Sequence, residues 1–155
     1  PWSHAVLRGL ELADYVALPH HQPGWLARRL GMPEAEEKRS IELLARTKQI
    51  GRRRRKWVVD ESRTVDTRAD PARSLRMKAW WTRLALDRVE AGSEHVLSYN
   101  LFSVSAADYQ RILELYRAFF QQMRAIVADS RPNERVVLFS TLAVPLEPVT
   151  PGAAG

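Results

Sequence analysis

Proline and glycine cut the first part of this chain into pieces that permit only short helices and a hairpin. Pro19 and Pro23 bracket His20-His21-Gln22, and Gly24, Gly31, Pro33 and Gly51 follow at close intervals. Neither proline can continue a helix, and each pushes its predecessor out of the α region. One helix is expected from Trp2 to about Leu18, with Val6, Leu10, Ala13 and Val16/Ala17 at helical spacing. A short helix follows over 23–31, stopped by Gly31. A third has Pro33 near its first turn, Glu34, Glu36 and Glu37 at its positive dipole end, and Ile41, Leu44 and Ala45 as its inner stripe. Residues 48–51 and 56–59 read as two strands with the arginines at the hairpin between them. This order is that of a winged helix, although the wing lacks the Asn-Gly or Asp-Gly that favours a tight turn.

Residues 62–69 are polar and aperiodic and read as a linker. Beyond them Asp70-Pro71 supplies an N-cap with proline at the first helical position. Met77, Trp80, Trp81, Leu84, Ala85 and Val89 form a broad apolar face, and Ala91-Gly92-Ser93 closes that helix. Residues 96–104 are β-like. Ser105 then opens a long helix, its hydroxyl placed to cap the amide of Asp108. Tyr109, Ile112, Tyr116, Phe119, Met123 and Ile126 recur on it at spacings of three and four, as on a helix packed on a sheet. Residues 136–145 are apolar on both faces and are expected to form a strand buried on both sides. The fold class is therefore α+β: a winged-helix-like unit over 1–61, the linker, a helix-strand-helix-strand domain over 70–147, and a flexible tail over 148–155.

Charge separates the halves. The 155 residues carry 24 Lys+Arg and 18 Asp+Glu, a net +6. Residues 1–68 hold +5 of this excess, much of it in Arg52, Arg53, Arg54, Arg55 and Lys56. A basic run of this kind suits a phosphate backbone, which it would bind with strong salt dependence and little sequence preference. Arg28 and Arg29 on the second helix could assist. Against base reading, the third helix offers Glu34, Glu36 and Glu37 at the end a reading helix turns towards the major groove. A winged helix serving as scaffold or interface is the favoured expectation.

No cysteine is present, which excludes disulfides, thiolate metal sites and cysteine nucleophiles. No apolar run reaches the length of a membrane span and no secretory signal is legible, so a cytoplasmic protein without membrane attachment is expected. His20 and His21 diverge and lack a third ligand, so no metal site and no cofactor are expected. Phosphate loops, zinc-protease motifs and nucleophile elbows are absent, and no enzyme activity is expected. Trp80 and Trp81, pointing about 100° apart on one helix, and Tyr116 and Phe120 are candidates for a dimer or ligand interface.

Taken in order, these phrases resemble a known family. The winged-helix phrase of 26–51, Leu84-Ala85-Leu86-Asp87-Arg88-Val89, the stretch 98–112 with Phe102-Ser103-Val104-Ser105 and Asp108-Tyr109, and 134–148 with Arg135-Val136 and Pro145-Leu146 resemble the C-terminal region of bacterial helix-turn-helix transcriptional regulators. These are common in predatory and gliding proteobacteria. Members typically carry an upstream phage-repressor-like DNA-reading domain, and Pro1 in place of an initiator Met suggests a fragment lacking it. Their wing is usually a modest turn with Gly and Lys, where this chain has four arginines and a lysine. The resemblance implies gene regulation. The expected function is a non-enzymatic regulatory and dimerisation module, acting as a homodimer. The alternatives are direct DNA binding through the wing, and a small-molecule or peptide sensor using Trp80, Trp81, Tyr116 and Phe120.

Overall fold

The computed structural model describes residues 1–60 and 70–146; the expected linker at 62–69 and tail at 148–155 lie outside the described residues. Four short helices, α1 (Trp2–Gly9), α2 (Ala13–Ala17), α3 (Trp25–Leu30) and α4 (Glu34–Arg46), lead into β1 (Ile50–Arg53) and β2 (Lys56–Val59). Two longer helices follow, α5 (Pro71–Glu90) and α6 (Ala106–Asp129). Helices before and after a small antiparallel sheet make the chain α+β, as expected.

The expected first helix is broken in two. Leu12, at φ −62° and ψ 138°, is extended and starts α2. The break follows from packing. In one continuous helix Leu10 and Leu12 would point about 200° apart, yet both are buried, as is Tyr15. α1 comes close to α3 at Gly9, where a Cβ would stand 2.7 Å from a Leu26 side-chain carbon. Val6, Leu10, Leu12, Tyr15, Leu26, Ala27, Met32, Ile41, Leu44 and Ile50 form the core. Every one of these lies in the first unit.

The second half caps itself as its sequence specifies. The Asp70 carboxylate accepts from the Arg73 amide at 2.9 Å, and the Ser105 hydroxyl accepts from the Asp108 amide at 3.1 Å. Several contacts among the described residues attach it to the first unit. Trp80 and Trp81 meet Trp2 edge to face at centroid distances of 5.2 and 5.9 Å. The Arg88 guanidinium donates to the carbonyls of Leu30 and Gly31, closing the C-terminal end of α3. The Ala13 amide donates to the Asn133 carbonyl at 2.8 Å.

Two expected strands are not formed. Among the described residues the one sheet is β1-β2, and neither 96–104 nor 136–145 is a strand. A strand needs a hydrogen-bonded neighbour, and neither segment pairs with the other or with β1 or β2. The expectation that 136–145 is buried on both faces fails for the same reason: Val137, Leu138, Phe139, Leu142 and Val144 are all exposed. Neither α5 nor α6 contains a buried residue. Among the described residues no helix is long and apolar enough to cross a membrane.

Candidate nucleic-acid interface

β1 and β2 pair in the register Ile50↔Val59, Gly51↔Val58, Arg52↔Trp57 and Arg53↔Lys56. This leaves Arg54 and Arg55 as a two-residue turn. Both have left-handed backbone, at φ +46° and +65°. Such a turn matches strand twist when both central residues take positive φ, hence the usual Asn-Gly. Arginine here works against its own Cβ, at a cost of about 1–2 kcal/mol per residue. Arg53 and Lys56, directly opposed, add like-charge repulsion.

The wing is nevertheless held firmly. His21 donates its amide to the Arg55 carbonyl at 2.9 Å, and Lys56 donates its ammonium to the Val16 carbonyl. The Trp57 amide donates to the Tyr15 hydroxyl at 3.3 Å, whose own proton is then free for His21 Nδ1, 3.2 Å away. Burial, with the Arg52 guanidinium nearby, lowers the His21 imidazole below its usual value, which leaves a neutral ring able to accept that proton. Burial also raises the Tyr15 phenol, partly offset by the Trp57 amide.

Behind the wing sits Glu37, 3% exposed. Its carboxylate accepts from the amides of Gly24 at 3.1 Å and Ala27 at 2.6 Å, capping α3 from the neighbouring helix. Gly24, at φ +79°, provides the left-handed turn that aims its amide there. Burial pushes the Glu37 carboxyl above its usual value, and the Ala27 and Gly24 amides pull it back. His21 Nε2 stands 3.9 Å from Glu37 Oε1. A chain of polar groups, Trp57 amide, Tyr15, His21, Glu37, thus joins the wing to the start of α3.

The sequence-derived candidates separate on this frame. Arg53, Arg54 and Arg55 are exposed, and their side chains have no carboxylate partner among the described residues. Arg52 lies over the Trp57 ring at 5.6 Å. Lys56 is an anchor. Arg29 is engaged within the chain, 3.2 Å from the Asp14 carboxylate and 2.8 Å from the Glu134 carbonyl. Arg28 lies beside Glu34 around Gly24. The three acids at the start of α4 do not all face outward. Glu37 is turned inward and Glu36 pairs with Arg39 at 2.7 Å. Lys38, Arg39 and Arg46 remain on the exposed face of α4.

Sequence reasoning placed Glu37 at a helix dipole and missed its burial, though the signal was present. Glu37, Ser40, Ile41 and Leu44 recur at i, i+3, i+4 and i+7, which is the buried stripe.

Of the other candidates, Trp80 and Trp81 are half-buried and engaged with Trp2 and each other, at 4.8 Å. Tyr116 and Phe120 contact each other at 6.0 Å, with Arg124 over Phe120. A cleft of about 520 Å³ opens between residues 21–24 and α4. Its rim includes Glu34, Glu37 and Glu42, which disfavours phosphate, and none of the four aromatics lines it. Among the described residues no group of three or more His, Asp or Glu is arranged to hold a metal ion.

No curated protein and no solved structure matches the chain. A family model does, over residues 1–146, and its description is a domain of unknown function. The match spans both the winged-helix-like half and the helical half, so the chain belongs to the DUF4423 family.

Proposed function

We propose that this chain is a non-enzymatic regulatory and dimerisation module of a bacterial transcriptional regulator, the role implied by the resemblance of its phrases to that family. A homodimer held together by the C-terminal half would set the distance between two DNA-reading heads, and half-site spacing is a source of operator specificity. The observation that carries this reading is the asymmetry of burial. Among the described residues the buried apolar core lies within residues 5–50. Of the exposed large apolar side chains, all but Val16, Leu43 and Val58 lie beyond residue 70. Amphipathic helices draw most of their stability from a packed face, and α5 and α6 bury no residue within one chain. Sedimentation at micromolar concentration tests this. The expected species has twice the 17.7 kDa chain mass, and a single-chain species alone would refute the proposal.

A second reading, direct phosphate contact by the wing, is favoured by one specific observation. Arginines occupy two strained turn positions with no carboxylate to pair with among the described residues. The expected result is duplex binding that falls steeply with salt. Arg53→Ala/Arg54→Ala should reduce the slope of log K against log salt by up to about 1.8. An unchanged slope would assign the arginines no phosphate role.

A further inference from the structure

We propose that residues 96–104 and 136–145 are the strands of a sheet completed between two copies of this chain. The inference rests on the dimerisation reading and specifies what joins the copies. Both segments are rich in β-branched, aromatic and leucine residues and contain no Asp, Glu, Lys or Arg. Among the described residues no backbone–backbone hydrogen bond involves either segment. Apart from Val136, which packs against the core, side chains along both face solvent, with Tyr99 91% and Leu142 77% exposed. Unpaired backbone beside apolar side chains is a template for pairing with another chain.

Surface area shows how much is left uncovered. The chain exposes 12661 Å², where a folded monomer of this mass exposes about 8,000 Å². Crediting residues 61–69 and 147–155 with the whole surface of an unfolded chain still leaves an excess of about 2,500 Å². Counted on two copies, that is the scale of an obligate dimer, which buries about 2,000–5,000 Å² in total.

The occupant that fits is a second copy. Two copies of a chain of net charge +6 repel each other least where the meeting surfaces carry no charge, and these two segments contain no charged side chain. One copy supplies two strands, a marginal sheet in water, whereas two copies supply four. A two-fold arrangement uses the same segments on both sides. Phe139 already lies 5.7 Å from Phe119 of α6, so the paired segments would bring the apolar face of α6 under the new sheet.

The test combines sedimentation with amide hydrogen exchange on the full chain, and then on Tyr99→Lys/Leu142→Lys. Both positions are solvent-facing in one chain, so the single-chain fold is retained, as near-ultraviolet dichroism of the Trp2, Trp80 and Trp81 cluster would report. The wild type should be dimeric, with the amides of 96–104 and 136–144 protected. The variant should lose that protection, and its self-association should weaken by roughly a hundredfold or more, because pairing buries the two lysines. A single-chain wild type would overturn both this inference and the dimerisation reading. A dimer whose two segments exchange freely, or that survives both lysines, would leave the dimer standing and overturn the intersubunit sheet. Protection of the segments in a single-chain species would place the pairing within one copy and also overturn it.

Discussion

Glu37→Ala is expected to lower the stability of the winged-helix-like unit by about 2–4 kcal/mol. Two charge-assisted hydrogen bonds disappear, and the amides of Gly24 and Ala27, which Glu37 caps, are left in a buried place. Each lost bond to a charged group is worth about 1.5–3 kcal/mol, and an orphaned buried amide adds its desolvation penalty. Relief from burying a carboxylate offsets part of this, since burial raises the Glu37 carboxyl above its ordinary value. Against a total stability of about 5–15 kcal/mol, the loss is large. Glu37→Gln keeps one acceptor oxygen and should fall between. Urea unfolding followed by far-ultraviolet circular dichroism reads this out. A midpoint shift at constant slope is the expected form. An alanine variant within about 0.5 kcal/mol of the wild type, the range of ordinary surface changes, would show that the cap contributes little.

The elements the sequence made legible are those set by local chemistry. Gly31 and Pro33 placed α3 and α4. Asp70-Pro71 and Ser105 placed the starts of α5 and α6, and both side chains cap as their types require. The hairpin followed from two short strands around a basic run. What was not legible depended on partners distant in sequence. Periodicity across Val6, Leu10 and Ala13 suggested one helix, but the core takes in Leu12 as well, and the break at residues 10–12 serves that demand. Residues 96–104 and 136–145 have strand-like side chains, yet side chains alone do not provide the neighbouring backbone that a ladder requires. At the wing, charge was visible in the sequence. Which arginines are free was not, because that depends on Asp14, Val16, Trp57 and the Glu134 carbonyl, which engage Arg29, Lys56 and Arg52.

Arg54→Asn/Arg55→Gly is expected to make the protein more stable while weakening the duplex binding proposed for the wing. Both wild-type residues sit at positive φ, where an L side chain carries about 1–2 kcal/mol of strain each. Asn-Gly is the pair most suited to such a turn. Glycine also gives the unfolded chain more freedom, which returns part of the gain. A net stabilisation of about 1–2 kcal/mol is therefore expected, read as a rise in urea midpoint. The turn's backbone contact should persist, since the His21 amide binds the carbonyl of residue 55 and not its side chain. If the wing lies along a phosphate backbone, the lost charges should cut the salt slope of duplex binding by up to about 1.8 and weaken binding at low salt. Strain kept at a position where a better turn is available points to function elsewhere than in folding. The two measurements must move in opposite directions for that argument to hold. Greater stability with unchanged duplex binding would leave the arginines without a role in phosphate contact. A loss of stability would mean that the turn is not strained as its backbone angles imply.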